Sequence, residues 1–78
     1  MFEITEIVSD GILSVTFLDL KASCNYRNYT ITNTKGEVLV SGQITGYTQR
    51  TSFYVGELKK GEYQFILDEK EQRSFNIK

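Results

Sequence analysis

The side chains that most often carry out catalysis are scarce in this chain. The sequence has no histidine, the commonest general base, and one cysteine, Cys24. A lone thiol cannot form an intrachain disulfide or build a zinc site, and without a neighbouring base it is not an activated nucleophile. We therefore predict that Cys24 is a small, half-buried apolar residue, and that the chain is not an enzyme and holds no cofactor or metal.

Carboxylates are the remaining groups that could do chemistry. Asp68, Glu69 and Glu71 crowd one turn and could bind Ca²⁺ weakly, although their spacing is not that of an EF-hand. Glu3 and Glu6 could form a hydrolytic acid pair, which needs a substrate cleft. A chain of 78 residues buries only about 60% of its unfolded surface, so little apolar surface is left to line such a cleft. We expect these acids to lie on a solvated surface.

Charge and hydropathy argue against two classes of partner. The nine Lys and Arg residues are scattered, and ten acids outnumber them, whereas nucleic-acid binding needs clustered cations. No segment approaches the roughly 20 apolar residues of a membrane-spanning helix. The first residues lack the basic start and continuous apolar core of a signal peptide, so Cys24 is not expected to be lipidated. We predict no nucleic-acid partner and no membrane span.

Apolar and polar residues alternate with a period of two along most of the chain, which predicts half-buried antiparallel strands. Turn residues such as Asn33–Gly36 separate the runs, and Asp68–Glu71 is expected to turn through a type I-based loop. The run Phe2–Val8 changes phase, which predicts a β-bulge near Glu6. The inward phase defines the predicted core: Ile4, Leu13, Val15, Phe17, Tyr29, Ile31, Val38, Val40, Phe53, Val55, Leu58, Tyr63, Phe65, Leu67, Phe75 and Ile77.

The most specific fold signal is a tyrosine directly after a glycine-bearing turn. Gly61 ends the turn and Tyr63 opens the alternating run that follows. This is the sequence form of the tyrosine corner of immunoglobulin-like sandwiches, in which the hydroxyl bonds to upstream backbone. We predict one domain over residues 1–78, all-β, with an immunoglobulin-like antiparallel β-sandwich of about seven strands.

Apolar and aromatic residues in the outward phase are the candidate contacts. Leu39 and Ile66 are predicted to point away from the core, where they are either ordinary exposed residues or candidate contacts for a protein partner. Tyr26, Tyr47 and Tyr54 could instead stack on sugar rings, which makes carbohydrate the alternative ligand. Since the chain has no proline, the protection of its sheet edges must come from charge and glycine.

Residues 28–78 carry a pattern of a strand, a turn with Gly, an apolar pair and Gly, followed by a Gly-x-Tyr run and a short basic final strand. The matching residues are Ile31, Gly36, Val38, Val40, Gly42, Phe53, Val55, Leu58, Gly61, Tyr63, Phe75, Ile77 and Lys78. This pattern resembles two groups of small sandwich modules from Bacteroidota. They are the C-terminal sorting domain of type IX secretion cargo and a family of small secreted Bacteroidales proteins of unknown function.

The resemblance implies an extracellular or cell-surface module, although the residues themselves leave a cytoplasmic location open. In sorting domains the last strand is read by the secretion apparatus, which casts Arg73 and Lys78 as partner contacts. The leading hypothesis is a non-catalytic module for sorting or attachment, acting through its sheet edge and last strand on secretion or surface machinery. The alternative is a ligand-binding module, with carbohydrate as the ligand.

Overall fold

A computed structural model describes residues 2–18, 26–45 and 49–78 of the chain. These residues form eight β-strands and no helix. The strands are β1 (Phe2–Ile4), β2 (Ile7–Val8), β3 (Ile12–Phe17), β4 (Arg27–Asn33), β5 (Val38–Ile44), β6 (Arg50–Tyr54), β7 (Gly61–Leu67) and β8 (Glu71–Ile77). The prediction of an all-β fold is confirmed, with one strand more than expected.

The strands form two sheets that close over a shared interior. One sheet has the order β1-β3-β6 and the other the order β2-β8-β7-β4-β5. All neighbours are antiparallel except β2 and β8, which run parallel. The two layers are the immunoglobulin-like sandwich that the sequence predicts, with one parallel pair added at an edge.

The predicted bulge near Glu6 is wrong, because the first run changes sheets instead. Phe2 pairs with Phe17 in the three-stranded sheet, whereas Ile7 pairs with Asn76 in the five-stranded sheet. The crossing is fixed on the second sheet by a bond from the Asn76 N–H to the Glu6 carbonyl at 2.8 Å. Since the two sheets present opposite faces to the core, the inward phase must change where the chain crosses.

Aromatic rings fill the space between the sheets. Phe65 is fully buried on the central strand β7, with the Phe2 and Tyr29 rings at centroid distances of 5.6 and 5.7 Å. Phe53 joins them from the other sheet, 4.5 Å from Tyr29. Rings of this size supply much of the apolar area that so short a chain must bury.

Most of the predicted core residues are buried or packed against the core, but Val38 is not. Its side chain is 60% exposed, because β5 carries an irregularity in its pairing with β4. Val40 lies opposite Ile31 and Val38 opposite Thr32, so Leu39 is an extra residue and the inward phase shifts beyond it. The core also contains Phe2, Val8 and Ile44, which the prediction omitted.

The tyrosine corner is present as predicted. The Tyr63 hydroxyl donates a hydrogen bond of 2.6 Å to the Lys59 carbonyl, four residues upstream. The ring itself is buried and stacks on Phe75 at 5.8 Å. The corner thereby joins the start of β7 to the last strand.

The turn after β7 differs from the predicted type I-based loop. Asp68 and Glu69 both have left-handed φ values, 53° and 59°, which a type I turn does not contain. Asp68 anchors this turn to β4, since its carboxylate accepts from the Asn28 N–H at 3.0 Å and from the Arg27 Nε at 3.1 Å. These bonds offset the cost of left-handed backbone at residues with a Cβ.

Candidate functional site

The last strand, β8, is only partly covered by its outer neighbour. The Asn76 N–H donates to the Glu6 carbonyl at 2.8 Å, and the Lys78 N–H donates to the Val8 carbonyl at 2.9 Å. These two bonds attach the short strand β2 to the second half of β8. Main-chain groups of alternate residues in a strand point to the same side. The backbones of Gln72 and Ser74 therefore point the same way, beyond the end of β2.

Arg73 covers part of this remaining segment of β8, at Gln72. Its guanidinium carbon lies 4.9 Å from the centroid of the Phe2 ring, and its Nη1 donates to the Gln72 carbonyl at 2.8 Å. A charged side chain that points toward the core from an edge strand is one of the devices that prevent further strand pairing. Arg73, a predicted partner contact, is thus engaged within the chain.

A cleft of about 350 Å³ lies beside Arg73, between β1 and β8. It is lined by Phe2, Glu3, Ile4, Glu6, Arg73 and Ser74. The cleft is at the small end of the range for ligand pockets, and it brings the two carboxylate residues of the possible acid pair to one place beside a cation. In the part of the chain that the structure describes, no group of three or more His, Cys, Asp or Glu could hold a metal ion.

The opposite edge of the same sheet is the outer side of β5. The Asn33 N–H bonds to the Glu37 carbonyl, just before β5, whereas the Asn28 carbonyl accepts from the Asp68 N–H, just after β7. The main-chain groups of odd-numbered residues of β4 therefore point toward β5, and those of even-numbered residues point toward β7. The partners of the odd-numbered residues on β5 are therefore hydrogen-bonded to β4, and the main-chain groups of Ser41 and Gln43 point away from the sheet. No strand within residues 2–18, 26–45 and 49–78 pairs with this side, which we call the β5 edge.

The β5 edge carries no formal charge. Its residues, Val38–Ile44, read Val-Leu-Val-Ser-Gly-Gln-Ile. Val38 and Leu39 are 60% and 43% exposed, and their irregular pairing with β4 is of the kind that protects an edge strand. The stretch Val40–Ile44 pairs with β4 in regular register, and no described strand pairs with its outer side.

The outer face of the five-stranded sheet is also nearly free of charge. Its exposed and half-exposed strand side chains are Ile7, Asn28, Thr30, Val38, Ser41, Gln43, Glu62, Gln64, Ile66, Gln72, Ser74 and Asn76, of which Glu62 alone is charged. We call this surface the neutral face. On the three-stranded sheet, by contrast, Glu3 and Arg50 both flank Thr16. Loss of charge is what distinguishes the centre of a protein interface from ordinary surface.

The four predicted partner contacts are spread across the sheet. Leu39 lies on β5, Ile66 is half-buried near the middle of the neutral face, and Arg73 lies in the last strand, which Lys78 follows directly. Leu39 and Lys78 therefore belong to opposite edges. One compact partner site does not contain all four residues, but the edges and the face between them do.

The predicted sugar-stacking residues are not brought together. Tyr54 pairs with Ile12 at the start of β3, whereas Tyr26 precedes Arg27, whose guanidinium lies over Phe17 at the other end of β3. The two ends of this strand are about 16 Å apart at 3.3 Å per residue. Tyr47 lies outside the described residues, and carbohydrate binding stays a prediction.

Sequence reasoning named Leu39 but missed the β5 edge itself. The signal was available, because residues 38–44 are an uncharged run of strand-forming residues without proline. What the sequence could not supply was the neighbour order, which places this strand at the end of the sheet.

The fold and its surfaces define a small all-β sandwich whose five-stranded sheet has, among the described residues, one protected and one open edge. No family model matches the chain, and no curated protein matches it. Among the described residues there is no helix with the length and apolar character needed to cross a bilayer. The resemblance to Bacteroidota sorting modules accordingly stays a prediction.

Proposed function

We propose that this chain is a non-catalytic module of an exported or cell-surface protein, which binds secretion or surface machinery through its five-stranded sheet. The contact surface consists of the β5 edge, the adjoining neutral face and the exposed end of the last strand. The module acts by holding a protein partner in place, and its role is sorting or attachment.

The open β5 edge is the observation that carries this proposal. Ser41 and Gln43 direct their N–H and C=O groups away from the sheet, and an extended polypeptide satisfies these groups through a regular ladder. Leu39, exposed beside them, adds an apolar contact. Edges that serve no partner are usually shortened, charged or covered.

The neutral face also supports the binding of a protein partner to the five-stranded sheet. One of the twelve side chains of this face is charged, whereas 24% of the residues of the whole chain are charged. Uncharged polar side chains are less costly to desolvate than lysine or glutamate, so a partner can cover this face at a smaller free-energy penalty.

The last strand contributes through its end. Lys78, directly after the strand, is exposed, while Phe75 and Ile77 within it lie in the core. Removing the strand would therefore unfold the sandwich, and only substitutions can separate recognition from folding. Lys78 presents a positive charge at the position that the sorting-domain resemblance assigns to recognition.

The test is to follow export and surface retention in the native host of full-length protein carrying Leu39→Asp or Lys78→Glu. We expect both variants to reduce the exported or surface-bound fraction severalfold while keeping the unfolding midpoint close to that of the parent. Ile12→Asp, at a position 38% exposed on the other sheet, and Lys60→Glu, in an exposed connection, are the matched controls. Unchanged export and retention for both test variants would contradict the proposal.

A further inference from the structure

We propose that the partner of the β5 edge is a second copy of this chain, joined by antiparallel β5–β5 pairing about a two-fold axis at Gly42. This inference rests on the proposed function and assigns the outward main-chain groups of Ser41 and Gln43 to the second copy. The secretion or surface machinery then contacts the dimer through the neutral face, Leu39 and Lys78. The two five-stranded sheets would become one continuous sheet of ten strands, with the two cores at opposite ends.

Charge is the first argument for a second copy. Antiparallel self-pairing places residues of one strand opposite residues of the same strand, so any charged residue risks facing a like charge. Residues 38–44 contain none, and every register of self-pairing is thus free of repulsion. The edge of β6, by comparison, begins with Arg50. Arg73 lies in β8, and Lys78 follows it directly.

The irregularity at Leu39 selects the register. The regular part of β5 is Val40–Ile44, and its central residue is Gly42. Pairing centred on Gly42 overlaps these five residues fully and leaves Leu39 outside the ladder. Pairing centred on Ser41 would instead place Leu39 opposite Gln43 and run the irregular segment into the new ladder.

The hydrogen bonds agree with this register. Ser41 and Gln43 are the residues whose main-chain groups point outward, and the Gly42-centred pairing puts Ser41 of each copy opposite Gln43 of the other. Each such pair exchanges two bonds, giving four across the axis. On the core side, Val40 faces Ile44 of the other copy, which covers the apolar side chain that β5 leaves half-exposed.

Gly42 suits the axis for a second reason. The two central residues form a non-hydrogen-bonded pair, in which the Cα atoms approach to about 4.5 Å. The Tyr29 ring already occupies the space where a Cβ on Gly42 would lie, at 2.9 Å. Because Gly42 has no side chain, the Cα atoms of the two Gly42 residues can approach closely at the axis, while the Tyr29 ring fills the space where a Cβ would lie.

The experiment is sedimentation equilibrium of the full chain from about 10 μM to about 1 mM, the range expected for an interface below about 1,200 Å². We expect a reversible monomer–dimer equilibrium. Gln43→Pro removes an outward N–H and the side-chain bond from Gln43 Nε2 to Asn28 Oδ1, but it leaves the main-chain bonds to β4 in place. It should weaken the dimer at least tenfold. Ser52→Pro, which removes an outward N–H from β6, is the matched control and should leave the dimer unchanged.

The register has its own variant, the double substitution Ser41→Glu with Gln43→Lys. Pairing at Gly42 sets each introduced carboxylate opposite an introduced ammonium, so the dimer should persist or tighten, and it should weaken again at high salt. Pairing centred on Ser41 would oppose two carboxylates and weaken the dimer at low salt.

Three results would overturn the inference: a monomer at all concentrations, a dimer indifferent to Gln43→Pro, or a dimer lost in the charge-pair variant at low salt. The proposed function fails separately, through unchanged export and retention in the Leu39→Asp and Lys78→Glu variants. A strictly monomeric chain whose export still depends on Leu39 contradicts self-pairing alone.

Discussion

The two edges of the five-stranded sheet differ in how they treat the unpaired main-chain N–H and C=O groups of an outer strand. At one edge, β2 covers the end of β8, and Arg73 covers part of what remains by lying over Phe2 and bonding to the Gln72 carbonyl. At the other edge, β5 has no covering strand among the described residues, no charge and no proline. An unpaired edge is a template for further strands, so the protected edge closes the sheet and the β5 edge leaves it ready to pair.

The difference also separates folding from recognition. The protected edge is tied to the core, since Val8 of β2 is buried and Arg73 lies over the buried Phe2 of the other sheet. On the β5 edge, Ile44 is buried and Val40 packs against the core, but the side chains of Val38, Leu39, Ser41 and Gln43 are exposed to solvent. Substitutions at the first edge should therefore reduce stability, and substitutions at the second should reduce association.

The largest effect is expected from Phe2→Ala beside the protected edge. Phe2 is 1% exposed and contacts the Phe17 and Phe65 rings, so truncation should lower the free energy of unfolding by about 3–5 kcal/mol. Leu39→Ala on the β5 edge should lower it by less than about 1 kcal/mol. Urea unfolding followed by tyrosine fluorescence measures both, and equal losses would contradict the division between the edges.

A smaller loss is expected from Tyr63→Phe, which removes the corner that fixes the strand beside the protected edge. The Lys59 carbonyl would lose its partner at 2.6 Å, and the free energy of unfolding should fall by about 1–3 kcal/mol. Tyr54→Phe is the control, because Tyr54 is 69% exposed and should give a loss close to zero. Thermal unfolding by circular dichroism would compare the two, and a Tyr63→Phe protein as stable as the parent would exclude a structural role for the hydroxyl.

Much of this architecture follows from local patterns in the sequence. Period-two alternation predicts the strands, and the Gly61–Tyr63 spacing predicts the corner, because both depend on residues that are neighbours in the chain. The phase change in the run Phe2–Val8 was visible as well. Its cause was not, since a bulge and a change of sheet leave the same mark on the alternation.

The candidate site depended on neighbours that are distant in sequence. The position of Val38 is set by how β5 pairs with β4, and the role of Arg73 by its meeting with Phe2, 71 positions earlier. The openness of β5 depends on the order of strands in the sheet. These are tertiary facts, and a period of two carries no information about which strand lies last.

The smallest effect, and the sharpest test of the two edges, is expected from Arg73→Met. Methionine keeps an apolar stem over Phe2 but loses the cation and the bond to the Gln72 carbonyl, so the free energy of unfolding should fall by only about 0.5–1 kcal/mol. Arg50→Met, an exposed arginine on the other sheet, is the control for lost charge. The more telling change is in assembly, because opening the second edge would let dimers add further copies. Light scattering should then show mass beyond the dimer for Arg73→Met and not for Arg50→Met, whereas identical masses would mean that β2 alone protects that edge.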